Sequence, residues 1–232
     1  MTIFKHSLRR GLTSPLALIL NCIIPTVLVF VAGYVDFDAP GEYHTGLFVS
    51  GLLIMLGAFY MARGIQMDKA DGTVIRILAG PVTMRTYLVQ NFLAAMVPVS
   101  VLSVFLGLIG MARHSWGLTF AIGIVLCYAL LGATSIGLSF VWSCLFKDKE
   151  ASAAVFSVVI TVLATIGGLM IPISILPTMV RRIGALTPAH WAARGMETLM
   201  NDGMSGQFWL SLTVMLLFVV IYLLYGGRRR IM

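Results

Sequence analysis

Residues 63–87 read RGIQMDKADGTVIRILAGPVTMRTY, from Arg63 to Tyr87. This stretch is a long polar break in an otherwise oily chain. Asp68-Lys69-Ala70-Asp71-Gly72-Thr73 has the composition of a compact charged turn. Beyond it, Val74, Ile77 and Leu78 recur at helical spacing with Arg76 on another face, which predicts a short amphipathic helix stopped by Pro81. Asp71 is placed to cap that helix near Thr73, where a carboxylate accepts from free N–H groups and meets the positive end of the dipole. Gly72 permits a tight turn.

The flanks of this break settle the fold class. Hydrophobic residues make up 59% of the 232 and charged residues 11%, with mean hydropathy +0.97, whereas a soluble domain carries about a quarter charged. Apolar runs approach the ~20 residues needed to cross ~30 Å of hydrocarbon. The chain reads as an all-α, polytopic integral membrane protein, a single transmembrane domain over 1–232 with no soluble domain. Six spans are expected, at about 16–35, 46–62, 88–112, 118–142, 151–171 and 208–225. Pro25 and Pro98 are expected to kink the first and third. Small residues such as Gly51, Gly57, Gly132, Ala133 and Gly137 supply close-packing faces.

Two segments outside the spans carry helical patterns. Near the N-terminus, Phe4, Leu8 and Leu12 share a face while Lys5, Arg9 and Arg10 take the rest. That fits a helix lying in the interface, apolar side in the acyl region and cations at anionic headgroups; it equally fits a basic flank that orients the first span. Residues 172–206 are divided by Pro172, Pro177 and Pro188 into pieces too short and polar to span, yet too apolar for a free loop. Short amphipathic or re-entrant outer helices packed on protein meet both conditions.

Basic residues fix the expected orientation. Twelve of the sixteen fall in the N-terminus, residues 63–87, the 147–150 loop and the terminal arginines; the other four are Arg113, Arg181, Arg182 and Arg194. The positive-inside rule then puts both termini and residues 63–87 in the cytoplasm, and residues 172–206 outside. The net charge of +7 lies in clusters at span ends, not along a soluble face, which argues against nucleic acid. The first apolar run is of span length and lacks a small-residue cleavage site, so no cleavable signal is expected.

Several chemistries find no support. Cys22, Cys127 and Cys144 lack CxxC spacing, and His6, His44, His114 and His190 lie outside the expected spans with no metal-ligand spacing. Ser135 has no histidine or lysine at its depth to serve as a base. The span interiors hold no Asp, Glu, Lys or Arg, which disfavours a proton relay but leaves a carrier of apolar molecules open. Asn21, Thr134, Ser135, Ser139 and Thr161 are candidates to line a path, or else hydrogen-bond between packed helices. No GxxxxGK[ST] loop occurs, so any ATP-driven motor is expected on another polypeptide.

With Asp71-Gly72-Thr73 leading into a helix and Pro81, a basic amphipathic helix before six spans, and the outer Pro172–Pro177–Pro188 segment, the chain resembles the membrane subunits of ABC-type exporters. The similar class contains the daunorubicin-resistance and nodulation-factor permeases. Asp71 stands where that class commonly has Glu, and Ala189 where a larger apolar residue is common. The resemblance implies a multi-pass permease of the plasma (inner) membrane, not an enzyme by itself, working as a homo- or heterodimer with a second permease chain. It further implies two copies of a cytoplasmic ABC ATPase that binds ATP and Mg, while this chain holds no cofactor. Asp68, Asp71, Gly72, Thr73, Val74, Arg76, Ile77, Leu78 and Pro81 would receive the ATPase, and an amphipathic or hydrophobic substrate would be exported. The alternatives are an ATP-independent carrier and a non-transporting assembly subunit.

Overall fold

A computed structural model describes residues 2–31, 45–80, 82–143, 145 and 149–228, and among these every regular element is helical. The expected interfacial segment is helix α1, Thr2–Thr13. The first expected span begins as α2 (Pro15–Leu18), passes through a π-helical stretch over Ile19–Ile23, and resumes as α3 (Ile24–Val31). The Ile24 N–H reaches back five residues to the Ile19 carbonyl, so the helix widens immediately ahead of Pro25. The irregularity expected from a proline that cannot donate thus takes the form of a π turn. The acidic 32–44 connection, with Asp36, Asp38, Glu42 and His44, lies outside the described residues.

Among the described residues, five helices are long and apolar enough to cross a membrane: Gly46–Lys69, Met84–His114, Leu118–Ser143, Glu150–Gly167 and Gly206–Gly226. They correspond to α4 (Thr45–Ala62) with α5 (Gly64–Ala70), then α7 (Met84–His114), α8 (Leu118–Ser143), α9 (Lys149–Gly167) and α12 (Gly206–Arg228). The short α6 (Thr73–Leu78) stands between α5 and α7, and α10 (Thr178–Gly184) and α11 (Pro188–Asp202) stand between α9 and α12.

Several expected boundaries move. The second span does not end at Ala62; after Arg63 the chain turns straight back into helix as far as Ala70. The third begins at Met84, where Thr83 accepts from the Thr86 N–H as N-cap, and runs unbroken through Pro98. The fifth stops at Gly167, because Gly168 takes φ +99°, a left-handed turn that ends the helix. Charge and side-chain pattern do not end a helix whose backbone is satisfied and whose charges are paired.

α8 occupies the middle of the bundle and packs against α4, α7, α9, α11 and α12. Its small residues make this contact close: Gly132 lies on Val99 Cγ1 of α7, and an added Cβ at Gly123 would meet Leu199 Cδ2 of α11 at 2.5 Å. Without a hydrophobic drive between helices in lipid, such backbone approach supplies the dispersion contact that holds a bundle. The outward faces of α7, α9 and α12 are apolar and exposed, including Val101, Phe105, Val158, Leu217 and Leu224. α11 is buried along much of its length between α8, α9 and α12. Pro177 sits at the N-cap of α10, Pro188 at the first position of α11, and Pro172 in the turn before them.

Candidate functional site

Residues 63–80 fold as two short helices with different environments. α5 faces inward. Asp68, expected in a turn, lies on this helix and is 8% exposed. Its Oδ1 accepts from Arg10 Nη1 of α1 at 2.8 Å, and its Oδ2 accepts from the Tyr87 hydroxyl of α7 at 2.7 Å. Arg10 Nη1 also donates to the Gly64 carbonyl at 3.0 Å. Glycine at 64 makes this possible, since a Cβ there would meet the same Nη1 at 3.1 Å.

The rest of α5 is tied just as specifically. Gln66 Nε2 donates to Ser152 Oγ of α9 at 2.9 Å, and Lys69 Nζ donates to the Ser143 carbonyl at the end of α8 at 3.1 Å. Just before α5, Arg63 pairs with Glu150 of α9 at 2.9 Å and lies over the Tyr60 ring. Trp142 Nε1 adds a bond from α8 to the Ser152 carbonyl. One helical turn and a half therefore carries polar ties to α1, α7, α8 and α9. In a low-dielectric setting these bonds are directional and costly to leave unmade, so they fix α5 relative to all four.

α6 faces outward. Val74 is buried and Ile77 packs on the core, whereas Ile75 is 71% exposed and Leu78 is 37% exposed, with Arg76 exposed beside them. The expected apolar face of Val74, Ile77 and Leu78 is thus split: its inner half is covered and its outer half joins Ile75. The helix starts at Thr73 as expected, but Asp71 does not cap it. Gly72 holds the N-cap position at φ +67° with no side-chain cap bond, and exposed Asp71 closes α5 instead. A left-handed glycine between two helices turns the chain sharply, leaving the Asp71 carboxylate behind the first turn of α6. The helix ends at Leu78; Pro81 lies outside the described residues.

On α1, Phe4 and Leu8 are half-buried, and Lys5 and Arg9 are exposed. Arg10 departs from the headgroup role expected of it and turns in to Asp68. Of the path candidates, Thr134, Ser135 and Ser139 are buried, and Ser135 donates across helices to the Met55 carbonyl of α4. Thr134, Ser139 and Thr161 donate within their own helices to the carbonyls of Leu131, Ile136 and Ser157. These hydroxyls are spent on backbone. The side chain of Asn21 lies outside the described residues.

Gln66, Tyr87, Ser143 and Ser152 escaped the sequence reading. A signal for Tyr87 was available in the residue type alone, an aromatic with a polar handle at the start of an apolar run.

A family model described as ABC-2 family transporter protein matches residues 18–227, nearly the whole chain and all five long apolar helices. A search of curated proteins finds no match. The order of helices, the polar hub at one end and the family match agree: the chain is a multi-pass membrane protein belonging to the ABC-2 family of transporter proteins.

Proposed function

We propose that this chain is the transmembrane subunit of an ATP-driven exporter, and that α6 is the surface through which a separate cytoplasmic ATPase acts on it. The observation that carries the reading is the pairing of α6 with α5. An exposed apolar tip, Ile75 and Leu78 flanked by Arg76, is joined through one glycine to a helix bonded to four others. An amphipathic helix of this kind fills a groove in a soluble partner. Displacement of α6 pulls on α5, and α5 moves α1, α7, α8 and α9 together.

Family membership and the distribution of charge support the remaining parts of the proposal. The chain works as a homo- or heterodimer with two ATPase copies, which bring ATP and Mg. It crosses the plasma (inner) membrane six times, the stretch 16–35 being the sixth span, with both termini cytoplasmic. The cargo is an amphipathic or hydrophobic molecule moved outward. The chain hydrolyses nothing by itself.

The test is purification of the full chain with and without Ile75→Asp. The unaltered chain is expected to co-purify a P-loop ATPase and to raise its rate of ATP hydrolysis. Ile75→Asp, at the most exposed position of the tip, is expected to insert and fold normally yet lose both. Equal association and equal ATPase rates for the variant would remove α6 from the interface. Flux by the purified chain alone, indifferent to ATP, would sink the whole reading in favour of a carrier.

A further inference from the structure

Four basic residues fall outside the charge-rich segments, and the fold brings three of them together. Arg181 and Arg182 of α10 and Arg194 of α11 line one open cavity of about 530 Å³, with His190 and Glu197 of α11 on its wall. Arg113, the fourth, is elsewhere, over the Phe30 ring. Among the described residues none of the three arginines makes an ion pair, and the single lining carboxylate, Glu197, offsets one charge of three. Arg181 and Arg182 are exposed; Arg194 is half-buried against the Trp191 ring.

His190 supplies an independent sign that something polar belongs here. It is only 4% exposed, and its Nδ1 finds no hydrogen-bond partner among the described residues. A buried ring nitrogen left unbonded loses its water without compensation, a cost that a ligand atom reaching it would remove, and the same residue lines the cavity. The surroundings are built to hold the ring there. Gly184 sits against the Ile166 carbonyl of α9, with room for no side chain between them, and an added Cβ would lie 3.7 Å from His190 Nδ1. Thr187 caps α11 by accepting from the His190 N–H, and the Trp191 indole donates to the Ala185 carbonyl at 2.8 Å.

Uncovered apolar side chains stand on the same short helix as two of the arginines. Ile175, Met179, Ile183 and Leu186, on α10 and at its two ends, are all more than half exposed, and Ile173 lines the cavity itself. A cationic wall carried by a helix with a greasy exposed side suits one class of molecule. We infer that this cavity binds the phosphate of an anionic amphiphile, with Arg181, Arg182 and Arg194 neutralising the head, His190 Nδ1 bonding it, and the apolar edge of α10 meeting its chain. Arginine's planar fork matches phosphate oxygens in pairs. Neutral zwitterionic heads gain little from three cations, because their own ammonium group is repelled.

The inference does not rest on ATP coupling, and its test contains no ATPase. The purified full chain in a neutral maltoside detergent is titrated calorimetrically with three probes: dihexanoyl phosphatidic acid, dihexanoyl phosphatidylcholine and inorganic phosphate. Phosphatidic acid is expected to bind at least tenfold more tightly than phosphatidylcholine. Arg181→Gln/Arg182→Gln alters only exposed side chains and is expected to weaken phosphatidic acid binding by at least tenfold; Arg194→Gln is a second variant of the same sign. Inorganic phosphate binding as tightly as phosphatidic acid, and lost in the same variants, would support the anion site and assign it to free phosphate. Equal binding of the two lipids, or arginine variants that bind phosphatidic acid like the unaltered chain, would overturn the site.

Discussion

Asp68 gives the sharpest test of the hub, because the sign of a double-variant effect follows from its geometry. Asp68→Ala removes the acceptor of the Tyr87 hydroxyl, whose residue is fully buried, and the counter-charge of Arg10, whose side chain is 32% exposed. A buried donor left without a partner costs about 1–3 kcal/mol. The arginine keeps the Gly64 carbonyl and water, so its share falls to about 0–1 kcal/mol, as for exposed pairs. Asp68→Ala should then destabilise by about 1–4 kcal/mol. Tyr87→Phe alone removes a donor from a carboxylate that still holds Arg10, which costs about 1.5 kcal/mol. In the double variant the orphaned hydroxyl is gone as well. The double variant should therefore be more stable than Asp68→Ala alone, by about 1 kcal/mol, since removing both partners costs less than stranding one. The measurement is SDS titration of the purified chain in mixed micelles, followed by tryptophan fluorescence for the two single variants and the double. Additive losses, with the double variant the least stable of the three, would refute the Tyr87–Asp68 bond as the bond that matters.

The other expectations are narrower. Gly72→Ala meets no atom within 4 Å, so only its φ of +67° is strained; a loss of about 1 kcal/mol is expected, and a smaller one for Gly72→Asn, by the same SDS titration. Gly132→Leu forces a side chain onto Val99 in the α7–α8 contact and should cost about 2–3 kcal/mol, whereas Gly117→Ala, with open space at its Cβ, should be silent. Burial, then Arg194 and Arg181, hold the His190 imidazole below its ordinary value. The unfolded chain takes up that proton near pH 6.5 and the folded chain does not, so stability should fall as pH drops through about 6.5. Thermal unfolding between pH 7.5 and 5 should show a shallower acid-side decline in His190→Gln than in the unaltered chain. An equal decline in both would separate His190 from the pH response.

Helix content and the long apolar helices were legible because a membrane imposes them on composition: long apolar runs, small residues at contacts and cations at one set of ends. The short helix after Gly72 was legible from its spacing, and the two helices of residues 172–206 from their prolines. The hub was not. Asp-Lys-Ala-Asp-Gly has the composition of a turn, and nothing local shows that Asp68 meets residues 58 and 19 positions away. Arg10 has the pattern of a headgroup cation, and only the path of α5 beside α1 turns it inward. The second span was cut at Arg63 because a hydropathy reading stops at the first charge. A charge does not by itself stop the chain from resuming as helix, and here Glu150 and the Tyr60 ring meet Arg63. Asp71 lost its expected cap for a different reason. The left-handed φ that Gly72 alone tolerates sets the direction of α6, and the carboxylate one residue earlier follows the preceding helix.

α9, like α8, joins the hub to the helices of residues 172–206. α9 begins where Ser152 and Glu150 meet Gln66 and Arg63, and ends where the Ile166 carbonyl lies on Gly184 and Gly167 lies on Ala189 and the His190 N–H. Its nineteen residues span roughly 28 Å at 1.5 Å per residue. Polar bonds secure the first end, and backbone-close packing secures the second. Neither kind of contact yields gradually: a hydrogen bond is made or lost, and two glycine-packed backbones slide only in steps. Under the proposed coupling, a shift of α5 would thus reach α10 and α11 as a rigid displacement of α9, not as a bend within it. The cavity walls are shared between α10, which packs on α9, and α11, which packs on α8 and α12 as well. A displacement that carries α10 further than α11 would part Arg181 and Arg182 from Arg194 and His190. That is the geometry by which an event at the basic end would loosen the hold on an anionic head at the other.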